Sequence, residues 1–115
     1  MMIERKRVGA RLSQIVVHND TVYLSGVVAD HPIPDVSAQT GQILDRIDEY
    51  LREAGSDKRR LLSVIIWLAD ICGYDEMNAL WDKWVSPGNT PARACVEAKL
   101  AQPELLVEMR VIAAR

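Results

Sequence analysis

With 115 residues, the chain is long enough for one hydrophobic core and too short for two, so we expect a single domain over residues 1–115. Its apolar content of 49% and charged content of 26% are typical of globular proteins and exclude a disordered or fibrous chain. The formal net charge of −2, from 14 basic and 16 acidic residues, gives no electrostatic reason to expect a nucleic-acid partner.

The first third of the chain is predicted to form strands. The polar segment "IERKRV" (3–8) is typical of a strand at the periphery of a sheet. Runs of β-branched residues on either side of Asn19-Asp20 predict a hairpin, because both residues tolerate the positive φ of a tight turn. Two prolines and two aspartates mark residues 30–37 as a loop.

Two helices and one strongly apolar strand follow. Apolar residues at spacings of three and four predict a helix over about 36–54, with Asp35 as its N-cap and Gly55 just after its end. The segment "RLLSVIIWLADI" (60–71) is predicted to be a strand whose two faces are both covered. A second helix is predicted over about 74–85, before a Pro-Gly pair.

Two strands are predicted at the C-terminal end, within 89–100 and 104–114. Alternation divides the first of them into two faces. We expect the apolar face to be a core face: Ala94, Val96, Ala98 and Leu100. We expect the polar face to meet either water or a partner subunit: Arg93, Cys95, Glu97 and Lys99.

The order β-β-β-α-β-α-β-β predicts an α+β two-layer sandwich, in which two helices cover one face of a mixed β-sheet. The opposite face would then carry the polar face of the 89–100 strand together with Glu108 and Arg110. Charges at a subunit seam can form a small site for an anionic ligand. The sheet face without helices is therefore a candidate oligomer surface.

The cysteines, the histidines and the lack of long apolar segments bear on cofactors and location. Cys72 and Cys95 have neither metal-binding nor disulfide spacing, and His18 and His31 form no metal-binding pattern with carboxylates, so we expect no metal. No apolar stretch approaches the roughly 20 residues of a membrane span, and the N-terminus lacks the apolar core of a signal peptide. We expect a cytoplasmic protein with reduced thiols and no membrane partner.

Several segments resemble the RidA/YjgF family, whose members are also described as RutC-like or endoribonuclease L-PSP-like. The pair "PARACVEAKL…ELLVEMRVIAA" looks like its C-terminal signature, and "TVYLSGVVA" is similar to its strand ending in Ser-Gly. The likeness runs from about Gly9 to Ala113. It implies a chorismate-mutase-like fold, a homotrimer with an inner β-barrel and three clefts between subunits. It also implies that the last strand inserts beside the 60–71 strand.

The resemblance also implies an activity that needs no cofactor, the hydrolysis of 2-imino acids to 2-oxo acids and ammonia. Carried over by motif, Arg93 would hold the substrate carboxylate, and Glu108 would orient or activate water. The other substrate-binding positions implied by the resemblance are Cys95, Ser25, Gly26 and Asn78.

One segment departs from the family pattern. The usual "GPYSQ" is replaced by "GARLSQ" (9–14), so Arg11 and Leu12 occupy the neighbourhood of a tyrosine that flanks the pocket. Either Arg11 adds a cation to the cleft and favours imino acids with polar or acidic side chains, or it faces solvent.

Structural alternatives stay open for each candidate. Arg93 could instead form a salt bridge to Glu97 or to an acid of a neighbour, and Glu108 could form an interface ion pair. No histidine is placed to activate Cys95, so packing is the expected role of that thiol. Packing is also expected for the three tryptophans: Trp67, Trp81 and Trp84.

Two other classes of function remain. A non-catalytic trimer that binds small carboxylates or has a regulatory role would use the same arginine. A ribonuclease or translation inhibitor is disfavoured by the acidic charge balance and by the absence of a basic stripe in the sequence.

Overall fold

The computed structural model describes residues 2–115, and its elements follow the predicted order with one short strand added. The strands are β1 (Ile3–Val8), β2 (Ser13–His18), β3 (Thr21–Leu24), β4 (Val27–Val28), β5 (Leu61–Leu68), β6 (Ala92–Glu97) and β7 (Val107–Ala114). The helices are α1 (Val36–Glu53) and α2 (Tyr74–Trp84). The addition is β4, a two-residue strand that pairs with β7.

Local sequence signals account for the turns and helix ends. Asn19 has a φ of 55° and closes the hairpin between β2 and β3. Asp35 accepts a hydrogen bond from the Ser37 amide at 3.1 Å and caps α1, and Gly55, with a φ of 81°, follows its end. The predicted hairpin-turn residue, helix N-cap and helix-terminating glycine are therefore confirmed.

The strand order of the sheet is β1-β2-β3-β7-β5-β6. The strand β7 is antiparallel to its neighbours β3 and β5. The strands β5 and β6 are parallel and are joined through α2. The last strand therefore lies inside the sheet rather than forming a hairpin with β6, as expected from the resemblance. The result is the predicted α+β fold, with two helices on one face of a mixed sheet.

The core lies between this sheet face and the helices. It is formed by the apolar stripe of α1 and by alternate residues of β5 and β7: Ile43, Ile47, Leu51, Val64, Ile66, Leu68, Val107, Met109 and Val111. Trp81 and Trp84 of α2 are also buried there, with ring centroids 5.4 Å apart. Both tryptophans therefore have the packing role that was expected from the sequence. Within residues 2–115, no helix combines the length and the apolar character needed to cross a membrane.

The two faces of β6 are the reverse of the prediction. Arg93 and Cys95 pair in register with Val64 and Ile66, so they lie on the helix-covered face of the sheet. Ala94 and Val96 are exposed on the opposite face, and the strand ends at Glu97. Alternation tells which residues share a face, but it does not tell which face meets a helix. The expected grouping of Arg93, Cys95 and Glu97 with Glu108 was therefore wrong.

The face that the helices leave uncovered is called the open face below. It carries Glu108 and Arg110 of β7, as predicted, and these residues pair in register with Trp67 and Ile65 of β5. Trp67, Ile65 and Ile112 are only partly buried there, and Tyr23 and Val96 are exposed. In the isolated chain, only the helix side of β5 is fully covered.

Candidate active site

The guanidinium of Arg93 is held by three residues of α2. Its Nη1 donates to Asn78 Oδ1 at 2.7 Å, and its Nη2 donates to Tyr74 Oη at 3.2 Å. The ring centroid of Trp81 lies 5.1 Å from its central carbon, and that of Tyr74 lies at 5.8 Å. The spacing i, i+4, i+7 places these three residues on one face of the helix. They form, with Arg93 and Cys95, the arginine half-site.

Arg93 has no acidic partner among residues 2–115, since every group that contacts its guanidinium is neutral. Glu97, the alternative partner considered from the sequence, instead accepts a hydrogen bond from the Ile71 amide at 3.0 Å. A guanidinium has five N–H donors, and Asn78 and Tyr74 engage two of them, so three are left. A half-buried cation with spare donors and no counter-ion is suited to binding an anion.

Cys95 packs against the edge of the core on the same side of β6 as Arg93. Burial raises the pKa of its thiol, and the charge of Arg93 opposes that effect only in part. The thiol is therefore protonated near neutral pH, which supports a packing role rather than a nucleophilic one.

Glu108 lies on the open face of β7 and belongs to a second cluster, the carboxylate half-site. A Cβ atom placed on Gly26 would lie 2.0 Å from Glu108 Oε2, so the side chain passes directly over this glycine. Beside it, Ser25 Oγ donates to Gln14 Oε1 at 2.6 Å, and the Ser25 amide donates to the Gln14 carbonyl at 3.0 Å. Burial raises the pKa of the Glu108 carboxyl above its ordinary value.

This raised pKa makes a prediction for stability. Because the folded state disfavours the charged carboxylate, Glu108 weakens folding once pH rises through its pKa, and it has no such effect below the ordinary value of 4.5. Glu108→Gln, which is always neutral, should therefore unfold at a higher temperature than the wild type at pH 7. At about pH 4 the two melting temperatures should converge. Equal stabilisation at both pH values would show that charge burial is not the cause.

The two half-sites do not meet within one chain. Arg93 projects from the helix-covered face of β6, whereas Glu108 projects from the open face of β7, and β5 lies between these two strands. One small molecule cannot touch both side chains of the same subunit. A site that uses both must take them from two subunits.

Arg11 belongs to neither cluster. It lies in the exposed turn closed by the bond from the Gly9 amide to the Leu12 carbonyl at 2.8 Å. It makes no hydrogen bond or ion pair with other described residues. The turn leads directly into Gln14, and Arg11 lines the same surface pocket as Gln14 without a hydrogen bond or ion pair to the carboxylate half-site.

Two members of the arginine half-site, Tyr74 and Trp81, were not predicted from the sequence as site residues. Asn78, which was predicted to bind substrate, accepts a hydrogen bond from Arg93 in the structure. Tyr74 and Trp81 had been assigned only to the start and the apolar stripe of α2. The signal that could have found them is helical spacing, since both share a helix face with Asn78. Among the described residues, no group of three or more histidine, cysteine or acidic side chains could hold a metal.

Fold and site together define an α+β domain with a cationic half-site and an acidic half-site on opposite faces of one sheet. Residues 2–115 match the family described as Endoribonuclease L-PSP. A RutC family protein from Haemophilus ducreyi is 42% identical over 113 residues, covering 98% of this chain and 97% of that relative. The RutC family protein YoaB of Escherichia coli is 40% identical over 114 residues, covering 99% of each chain.

Solved structures agree with these sequence matches. A YjgF family protein from Neisseria meningitidis is 43% identical, with a TM-score of 0.97, and the match covers 100% of this chain and 96% of that one. The chain therefore belongs to the YjgF/RidA family, which confirms the resemblance seen in the sequence.

Proposed function

We propose that the protein hydrolyses reactive 2-imino acids to 2-oxo acids and ammonia, as a 2-iminobutanoate/2-iminopropanoate deaminase-like enzyme. The observation that carries the proposal is the guanidinium of Arg93, which is fixed by neutral partners and keeps three N–H donors for a ligand. Two parallel hydrogen bonds from these donors match the geometry of a carboxylate. Family membership supports the choice of a small carboxylate as that ligand.

The reaction requires only the addition of water and the loss of ammonia. With the carboxylate bound to Arg93, water adds to C2 of the imine, and Glu108 accepts the proton that the water loses. That proton passes to the imine nitrogen and gives a neutral tetrahedral carbinolamine. Glu108 then transfers the remaining hydroxyl proton to the same nitrogen, the C–N bond breaks, and the 2-oxo acid and ammonia are released. A carboxyl whose pKa is raised by burial is better matched to both steps near neutral pH than an ordinary one.

The opposite placement of the half-sites supports a cleft between subunits. We propose a homotrimer in which the open faces pack as an inner barrel, covering the partly exposed Trp67, Ile65 and Ile112. Each cleft would then join the arginine half-site of one subunit to the carboxylate half-site of the next. Sedimentation equilibrium tests this assembly, and a stable monomer at micromolar concentration would leave the two half-sites apart.

A coupled assay tests the activity. An amino-acid oxidase converts a panel of amino acids to imines, and the appearance of ammonia is followed with and without the protein. We expect the protein to shorten the lag between oxidation and ammonia release. No effect with any imine, under conditions where the protein binds the matching 2-oxo acid, would contradict hydrolysis.

Gly26→Ala should lower this activity while preserving the fold. The added methyl group meets the tip of the flexible Glu108 side chain, which can swing away without moving the backbone. We expect the melting temperature to stay close to that of the wild type and turnover to fall by about 10²-fold, the usual contribution of a general base. Gly41→Ala is the control, since its methyl group would make an ordinary contact at 3.6 Å with Leu80 on α2. Full activity of Gly26→Ala would argue against a catalytic position for Glu108.

A non-catalytic trimer that binds small carboxylates is the second candidate. It is favoured by one observation, that the arginine half-site is assembled within a single chain and needs no acidic residue to bind an anion. Tight binding of 2-oxo acids without imine turnover would establish it.

A further inference from the structure

The hydroxyl group of Tyr74 has a hydrogen that no described residue accepts. Its oxygen accepts a hydrogen bond from Arg93 Nη2 at 3.2 Å, and it makes no other hydrogen bond within residues 2–115. Tyr74 is 39% exposed and its bond to Arg93 is solvent-exposed, so the hydroxyl lies at the surface of the arginine half-site rather than beneath it. A donor is therefore available beside the free N–H groups of the guanidinium.

We propose that Tyr74 is a ligand-binding residue, whose O–H donates to an oxygen of the carboxylate held by Arg93. This inference rests on the proposed carboxylate site and adds a residue to it. The intended ligands are small 2-oxo and 2-imino acids, whose carboxylate can accept from Arg93 and Tyr74 together.

Two features of the geometry favour this role. An oxygen that accepts from a cationic donor has a more polarised O–H, which strengthens the bond that it donates. Asn78 and the ring of Trp81 fix the other parts of the guanidinium, so Tyr74 is not needed merely to hold Arg93 in place. Tyr74 therefore combines a contact to Arg93 with a spare donor of its own.

The first test measures the dissociation constant of 2-oxobutanoate, a stable compound of the product class, by calorimetry. Tyr74→Phe keeps the ring against Arg93 and removes only the hydroxyl. It should bind about tenfold more weakly than the wild type, the loss expected for one hydrogen bond to a charged group. Tyr23→Phe is the control for removal of a tyrosine hydroxyl, because Tyr23 lies on the open face rather than in the arginine half-site, and sedimentation shows whether the variant assembles like the wild type. It should bind like the wild type.

The second test needs no variant of Tyr74 for its readout. The chain has three tyrosines, so labelling with 3-fluorotyrosine gives three fluorine resonances, which single Tyr→Phe changes assign. Saturation with 2-oxobutanoate should shift the Tyr74 resonance and leave that of the buried Tyr50 in place. An unshifted Tyr74 resonance, or wild-type affinity in Tyr74→Phe, would overturn the inference.

The outcomes also separate this inference from the proposed reaction. If the wild type binds 2-oxobutanoate through Tyr74 but does not hydrolyse imines, the inference stands and the enzymatic function falls. If the wild type hydrolyses imines and Tyr74→Phe binds 2-oxobutanoate normally, the enzymatic function is supported and the role of Tyr74 is contradicted. If the wild type binds no 2-oxo acid, the inference is wrong whatever the turnover, and the enzymatic function is wrong only if imine hydrolysis is absent as well.

Discussion

Replacement of Arg93 by alanine should abolish carboxylate binding and imine hydrolysis together. Two charge-assisted hydrogen bonds, each contributing about 1.5–3 kcal/mol, correspond to a loss of roughly 10²- to 10⁴-fold in affinity. Arg93→Lys should recover little, because an ammonium group cannot reproduce two parallel bonds from one planar fork. Calorimetry with 2-oxobutanoate and the coupled assay measure the two effects.

Two controls make this result specific. Arg93→Met retains aliphatic bulk against Trp81 and should lose binding as alanine does, which separates the charge from the packing. Arg59→Ala removes a surface guanidinium that is paired with Asp57 and 69% exposed, and it should behave like the wild type. If Arg93→Ala bound 2-oxobutanoate normally, the arginine half-site would not be the carboxylate site.

Chains that carry Arg93→Ala and chains that carry Glu108→Gln should each be inactive, yet a mixture of them should recover activity. If every cleft takes Arg93 from one subunit and Glu108 from the next, random reassembly at equal amounts leaves about a quarter of the clefts intact, one half times one half. The measurement is imine hydrolysis after the two variants are unfolded and refolded together.

The same variants, refolded separately and mixed afterwards, provide the control. Without subunit exchange, no intact cleft forms and activity should stay at the level of the single variants. Failure of the co-refolded mixture to exceed that level would mean that the two residues do not act together across a subunit boundary. The contrast tests the placement of the half-sites on opposite sheet faces directly.

Much of the fold could be predicted because its local signals are strong. The turn at Asn19, the cap at Asp35 and the glycine at position 55 follow from backbone preferences that act over a few residues. The position of β7 inside the sheet is a long-range pairing that no local pattern encodes. It was expected only from the resemblance to a family.

The candidate site could be predicted in its residues but not in its geometry. Arg93 was placed on the wrong face, because small apolar residues such as Ala94 were assigned to the core. The core in fact lies between the helices and the centre of the sheet, and Ala94 is exposed on the opposite face. Asn78 was predicted as a site residue, but its hydrogen bond to Arg93 was not. A sequence does not show that α2 brings this side chain to Arg93 of β6. The contact between Gly26 and Glu108 depends on the pairing of β4 with β7. At two residues, β4 is too short to give a sequence pattern.

The position of β7 also bears on how the chain folds as it is synthesised. This strand pairs with β3, β4 and β5, so the halves of the sheet on either side of it are joined only after residues 107–114 have left the ribosome. Until then, the β1–β3 meander and the β5–α2–β6 unit have no shared strand, and their apolar surfaces lack their main partner. Such pairing between distant segments slows folding and leaves the apolar surfaces of the unfinished chain prone to aggregation.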